Sequence, residues 1–138
     1  MKKRLASIED FNNLYKLWQE ASLQLYPEED ELKRYKDMLT LNPDLCLLLL
    51  NEEGVIVGSI FGAFDGRTAS VHRLAVLPEL QKKGLGKKLI EYLEEALRIR
   101  GIKKLSAQVH ISNTQVLPFY QKLGFQEMTY VRTFYKDL

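Results

Sequence analysis

Apolar positions along the chain follow two periods, and the switches between them mark out the elements. Lys3 to Ala6 is a short strand candidate. Phe11, Leu14, Leu17 and Trp18 then recur at helical spacing, so a helix of roughly four turns is predicted behind Ser7, an N-cap with Asp10 placed to reach back to it. Pro27 closes that segment. Glu28, Glu29 and Asp30 suit a helix N-terminus through the dipole, and Leu32, Tyr35 and Leu39 form the apolar stripe of a second helix. Asp44 to Leu50 is almost continuously apolar, the pattern of a strand covered on both faces. Glu52-Glu53-Gly54 reads as a hairpin turn and Val55–Phe64 as the partner strand, thinned at Gly58 and Gly62. Asp65-Gly66-Arg67 is a second turn and Thr68–Val76 the return, so residues 44–76 predict a three-strand meander.

Pro78 ends that meander because it has no N–H to give to a ladder. A long helix is predicted from Leu85 to Arg100, with Leu85, Leu89, Leu93, Ala96 and Leu97 toward the core, Glu94 and Arg98 paired on the wet side, and Gly101 as its stop. Lys103 to Ile111 is the next strand, and a helical crossover before it implies parallel pairing. Asn113 ends it. A short helix follows from Gln115 to Leu123, with Pro118 tolerable near its first turn and Gly124 as its end. Phe125 to Tyr135 is expected as a final strand carrying Phe125, Tyr130, Phe134 and Tyr135. The order is β-α-α-β-β-β-α-β-α-β, an α/β (α+β) protein with a mixed sheet, expected as a single domain over residues 1–138.

Composition narrows the function classes. The chain has 138 residues, is 46% hydrophobic and 28% charged, and carries a net charge of +2, with 18 acidic residues interspersed among 20 basic ones. That balance argues against a nucleic-acid binder. Cys46 is the one cysteine, so no internal disulfide or cysteine metal cluster is expected, and a reducing cytoplasm is the expected location. Met1-Lys2-Lys3-Arg4 is basic but no apolar stretch follows, so no signal peptide is expected, and Leu45–Leu50 is too short to span a bilayer. No membrane partner and no metal site are therefore expected.

The chemistry gathers around Gln81-Lys82-Lys83-Gly84-Leu85-Gly86, where the strand ending at Val76 turns into the long helix. The first amides of a helix lack intrahelical partners and sit at its positive end. Gly84 and Gly86 let a ligand approach the backbone, and Lys82, Lys83, Lys87 and Lys88 add positive charge. This is a candidate phosphate or pyrophosphate site; the plain alternative is a glycine-containing turn into a solvated basic helix. Walker A is excluded because Gly86-Lys87 is followed by Lys88 and no glycine stands at position 81. The dinucleotide fingerprint is excluded because Leu89 occupies its third glycine position.

The stretch does fit Q/R-x-x-G-x-G/A, and in this it resembles the acetyl-CoA pyrophosphate loop of the GNAT superfamily of N-acetyltransferases. Leu74-Ala75-Val76 resembles the strand before that loop, and Asn113, Val116, Tyr120 and Gly124-Phe125 resemble the family's C-terminal pattern, with Val where Ala is usual. Gly62 to Gly66 and the short chain are most similar to small bacterial YpeA-type members. The resemblance implies that Leu74, Ala75, Val76, Gln81, Lys82, Lys83, Gly84, Leu85, Gly86, Lys87, Asn113, Phe119 and Tyr120 contact acetyl-CoA. It implies that a bulge in the fourth strand frees an amide, with Val76 as the candidate, to bind the acetyl carbonyl. It makes Tyr120 the general acid for the departing thiolate, and the two N-terminal helices the acceptor entrance. Tyr15, Trp18, Tyr26 and Tyr35 on those helices would be either acceptor contacts or core.

An attacking amine must lose a proton, and the base is less plainly marked. His72 is the first candidate, on the fourth strand where some arylalkylamine-type members carry histidine; His110 and a water chain are the alternatives. Gln108 stands where members that acetylate protein N-termini carry Glu, and it cannot take a proton. The expectation is acetyl transfer from acetyl-CoA to a primary amine of a small molecule or protein, by a monomer or homodimer. The alternatives are a non-catalytic acetyl-CoA sensor and an anion-binding protein that uses the loop lysines.

Overall fold

The central strands of the sheet are the ones with no polar face. In a computed structural model describing residues 1–138, β2 (Cys46–Leu50) buries Cys46, Leu48 and Leu49 completely. It lies between β1 (Lys2–Leu5) and β3 (Ile56–Phe64), antiparallel to both. β3 pairs antiparallel with β4 (Ala69–Val76), and β4 pairs parallel with β5 (Leu105–Ser106), so the sheet order is β1-β2-β3-β4-β5. The parallel step is the one with the helical crossover, as its geometry requires.

Alternation along β3 sorts the helices onto two faces. Ser59 and Phe61 meet the side of α1 (Phe11–Glu20) and α2 (Glu28–Leu41), where Trp18 stands edge-on to Phe61 at 5.8 Å and Tyr35 packs on Phe61 at the same distance. Trp18 and Tyr35 are thus core, whereas Tyr26 is exposed and the Tyr15 hydroxyl donates to the Tyr26 carbonyl. Gly58 and Gly62 face α3 (Leu85–Ile99), whose Leu89, Ile90, Leu93 and Leu97 are buried, while Leu85 and Ala96 are half-buried. A Cβ on Gly62 would lie 2.7 Å from Leu93 Cδ1, so the missing side chain is what lets α3 come down onto the sheet. Gly101, at φ +76°, ends α3 in a Schellman turn, its N–H donating to Arg98 and that of Ile102 to Leu97.

The first helix is shorter than its spacing predicts, because Ile8–Asp10 forms a 3-10 turn before it. Asp10 reaches back to the Ser7 N–H at 2.8 Å as expected, and it also receives both terminal nitrogens of Arg4, at 2.7 and 2.8 Å. The Arg4 guanidinium holds the Asp10 carboxyl below the usual carboxylate range against the opposing effect of burial. Burial pushes the Cys46 thiol up to about 12, so it is an inert core residue.

The chain divides into two compact units, Met1–Gln108 and Val109–Leu138. The first holds the sheet and α1–α3. The second holds α4 (Leu117–Lys122), entered through a 3-10 turn over Thr114–Val116. Two strand expectations are corrected. The strand expected over Lys103–Ile111 contracts to Leu105–Ser106, and the one expected over Phe125–Tyr135 does not form: Tyr130, Phe134 and Tyr135 are exposed. Aromatic and β-branched residues suit a pleated, half-buried surface, but a strand exists only where a ladder takes up its N–H and C=O groups.

Two stability predictions follow from this packing. Gly62→Ala is expected to destabilise the fold by about 1–3 kcal/mol in urea unfolding, through overpacking against Leu93. Asp10 contributes stability above its unfolded-state pKa and loses it as pH falls through the lower folded value. Asp10→Asn is therefore expected to flatten the acid side of a stability-versus-pH curve, measured by urea unfolding from about pH 6 down to about pH 2.

Candidate functional site

The candidate site of the first unit starts with an irregularity in β4. Ser59 pairs with Ala75 and Phe61 with His72, so β4 advances three residues while β3 advances two. Arg73 and Leu74 together oppose Ile60, which is a β-bulge, and Arg73 takes the left-handed conformation at φ +52°. Beyond the bulge, the Leu77 N–H donates to the Val57 carbonyl at 3.0 Å. Antiparallel alternation then turns the N–H and C=O of Val76 away from β3. On that side β4 pairs with β5 only at Ala69 and Ser70, so the Val76 amide points to a stretch of strand edge that β5 does not cover.

The loop begins where this edge ends. The Gln81 side-chain amide donates to the Val76 carbonyl at 3.0 Å, tying the loop to the strand. Lys82, at φ +62°, and Gly84, at φ +84°, are both left-handed and fold the chain into the start of α3. Gly84 offers no capping side chain, and the first helical bond runs from the Lys88 N–H to the Gly84 carbonyl. The amides of Leu85, Gly86 and Lys87 are thus without intrahelical acceptors, at the positive end of a helix of 15 residues, with Lys82, Lys83, Lys87 and Lys88 exposed around them. That donor set fits a pyrophosphate.

His72 lies on β4 just before the bulge, its Nε2 2.8 Å from Ser70 Oγ. The ring keeps an exposed surface, yet the protein packed around it, and secondarily the Arg73 charge, hold its pKa below the usual histidine value. The ring is therefore neutral at pH 7 and can accept a proton. His110 is occupied locally: its Nδ1 receives the Ser112 N–H and lies 2.7 Å from Ser112 Oγ.

The second unit holds Asn113, Phe119 and Tyr120. Asn113 precedes the Thr114–Val116 turn, and its side chain makes no capping bond there. Tyr120 stands edge-on to Phe119 at 5.1 Å and to Phe125 at 5.3 Å. The Phe125 N–H reaches back to the Tyr120 carbonyl, and Gly124 takes φ +91°. The spacing Tyr120-x-x-x-Gly124-Phe125 is thus a Schellman turn with its usual apolar contact. Tyr120 is half-buried, and burial raises its phenol pKa, so it is a proton donor at neutral pH.

The structure therefore places Leu74, Ala75, Val76 and Gln81 to Lys87 at one end of β4 in the first unit, with His72 on the same strand. Two shallow grooves, one lined by Lys3, Tyr92 and Ile99 and one by Arg67, Arg100, Lys103 and Lys104, contain none of these residues. No group of His, Cys, Asp and Glu is arranged to hold a metal, and no helix is long and apolar enough to cross a membrane. Sequence reasoning missed Glu31, which is buried and ion-paired to Arg73 at 2.6 Å. A signal was present: Glu31, Tyr35 and Leu39 are spaced four apart, so an acidic residue stands on the apolar stripe of α2.

Comparison with known proteins agrees with this geometry. Residues 11–125 match the Acetyltransferase (GNAT) family. A protein named acetyltransferase from Yersinia pestis (strain Pestoides F) is 33% identical over 126 residues, which cover 91% of this chain and 88% of that one. Among solved structures, the ribosomal-protein-S18-alanine N-acetyltransferase of Escherichia coli superposes with a TM-score of 0.79 at 25% identity, over 93% of this chain and 79% of that one. The aminoglycoside 6'-N-acetyltransferase AAC(6')-IG of Acinetobacter haemolyticus shares the fold, with a TM-score of 0.81 at 17% identity over 100% of this chain and 99% of that one. With the bulged fourth strand, the uncapped helix behind it and a family match across most of its length, the chain belongs to the GNAT family and is an acetyl-CoA-dependent N-acetyltransferase.

Proposed function

We propose that the acceptor is a primary amine, of a small molecule or of a protein, and that it attacks the thioester directly. The observation that carries this reading is the end of β4, where an outward-turned Val76 amide and the uncapped start of α3 lie at either end of one short connection. The α3 amides and the lysines beside them would hold the pyrophosphate, and the Val76 N–H would take the charge that develops on the carbonyl oxygen. The amine nitrogen forms a bond to the carbonyl carbon and the carbon–sulfur bond breaks. His72 takes the proton that the amine loses, and Tyr120 gives its phenolic proton to the departing thiolate. The raised phenol pKa and lowered imidazole pKa support this division of labour. Asn113 and Phe119 complete the coenzyme contacts in this reading. The family match runs through residues 11–125, which supports treating 1–138 as one acetyltransferase domain. A ribosomal-protein alanine and an aminoglycoside amine, the acceptors named for the two structural relatives, are the acceptor types to screen first. A buried, inert Cys46 suits work in a reducing cytoplasm.

Thermal unfolding with and without acetyl-CoA tests the binding half of this proposal. At about 100 times its Kd, a ligand specific to the folded state adds about 2.7 kcal/mol, so the wild type is expected to melt higher with acetyl-CoA. Gly86→Asp, which puts a carboxylate among the α3 amides, is expected to abolish the rise. No rise for the wild type at saturation would overturn the loop assignment. For the chemical half, Tyr120→Phe is expected to keep the melting rise and lower kcat about 10²- to 10⁴-fold. The kcat/KM of the wild type is expected to fall as pH drops through a pKa below 6.5, and His72→Ala to lose that acid limb. An unchanged limb in His72→Ala assigns the base elsewhere.

A further inference from the structure

The residue at the centre of the bulge is held from three elements. Arg73 is a non-glycine residue in the left-handed region, a conformation L-residues disfavour and keep only where their surroundings impose it. Its side chain reaches α2, where Nη2 lies 2.8 Å and 2.6 Å from the two carboxylate oxygens of Glu31. Its guanidinium lies 5.2 Å from the ring centre of Trp18 on α1. Its carbonyl receives the Ser59 hydroxyl of β3 at 2.6 Å, and Ser59 Oγ in turn receives the Trp18 indole N–H at 3.0 Å. Ser59 and Glu31 are almost wholly buried, at 0% and 1% exposure, so none of these bonds is exchanged with water at little cost. The Tyr26 N–H adds a third hydrogen bond to Glu31.

A buried ion pair is poor evidence for stability, since an apolar replacement of the same shape often serves as well. What sets this one apart is its place. It closes on the one β4 residue with positive φ, three positions before the amide that the bulge turns outward. We infer that Glu31, Ser59 and Trp18 are positioning residues for acetyl transfer: through the side chain and carbonyl of Arg73 they hold the bulge that aims the Val76 N–H at the thioester carbonyl. The inference rests on the proposed role of Val76. None of the three touches the reacting atoms. Each acts by keeping Arg73 where the ladder alone would not, and a shift of about 1 Å at the amide is enough to cost about 10²-fold in rate.

The test reads the hydrogen bond itself. Acetyl-CoA labelled with carbon-13 at the thioester carbonyl has an isolated infrared band, which moves to lower frequency when the oxygen accepts a strong hydrogen bond. Bound to the wild type, the band is expected to shift down. Bound to Glu31→Gln or Ser59→Ala, it is expected to lose most of that shift while acetyl-CoA still raises the melting temperature. Leu39→Ala, which removes packing from α2 outside this network, is expected to lower the melting temperature of the free protein and keep the full band shift. Should Glu31→Gln fail to fold, Ser59→Ala and Trp18→Phe, which keeps an aromatic ring and deletes the indole N–H, carry the same comparison. A full shift in these variants overturns the inference, as does an equal loss in Leu39→Ala. A wild type that binds acetyl-CoA with an unshifted band removes the positioning role together with the Val76 role it rests on, and leaves the coenzyme-binding loop and the amine acceptor of the proposed function standing. A wild type that shows no binding removes both.

Discussion

The backbone of one arginine organises the end of β4 where the candidate site lies. A regular β4 would have given its amides to its neighbours in strict alternation. With Arg73 at φ +52°, the strand gains a residue against β3, and the alternation resumes with Val76 facing outward. An isolated strand would relax out of this conformation. Here it is kept by an ion pair to Glu31, an aromatic ring at Trp18 and a hydroxyl at Ser59, which come from a helix, a second helix and the adjacent strand. The cost of the bulge is spread over the packed face of the first unit, where Trp18 also belongs to the core with Phe11, Tyr35 and Phe61.

The opposite face of the sheet performs a complementary task. Gly58 and Gly62 lower the surface of β3 so that Leu89 and Leu93 can seat α3 closely. The helix is thereby anchored along its length, and its first turn projects beyond the end of β4 with its amides uncapped. A capping Ser or Asp at position 84 would satisfy one of those amides internally and would compete with a phosphate for the site. Glycine leaves them free and accepts the left-handed turn. Gln81, bonded to the Val76 carbonyl, joins the two devices, so the amide proposed for the acetyl oxygen and the amides proposed for the pyrophosphate share one short connection.

Sequence periodicity decided most of the scaffold. The fully apolar run at Cys46–Leu50 required a strand with two covered faces, the alternation beyond it required a meander, and the spacing from Leu85 to Leu97 required a helix with one buried face. Local chemistry located Gly101 and Gly124 as helix ends, since only their φ values permit those turns. The turn from β4 into α3 was legible for the same reason: two glycines and four lysines at the junction of a strand and a helix form a short-range pattern.

What tertiary structure alone decided is the set of features that need a partner far along the chain. The left-handed Arg73 is invisible in Val71–Val76, because nothing local favours it; contacts 42 residues away to Glu31 and 14 residues away to Ser59 impose it. The Phe125–Tyr135 segment has strand-like composition and forms no strand, because a ladder is a property of two segments and composition describes only one. Glu31 is the instructive case: its sequence position already put a carboxylate on the buried stripe of α2, but only the folded sheet shows which cation meets it there. Period, propensity and turn chemistry act over a few residues and can be read from the chain, whereas strain and its compensation exist only once distant residues have come together.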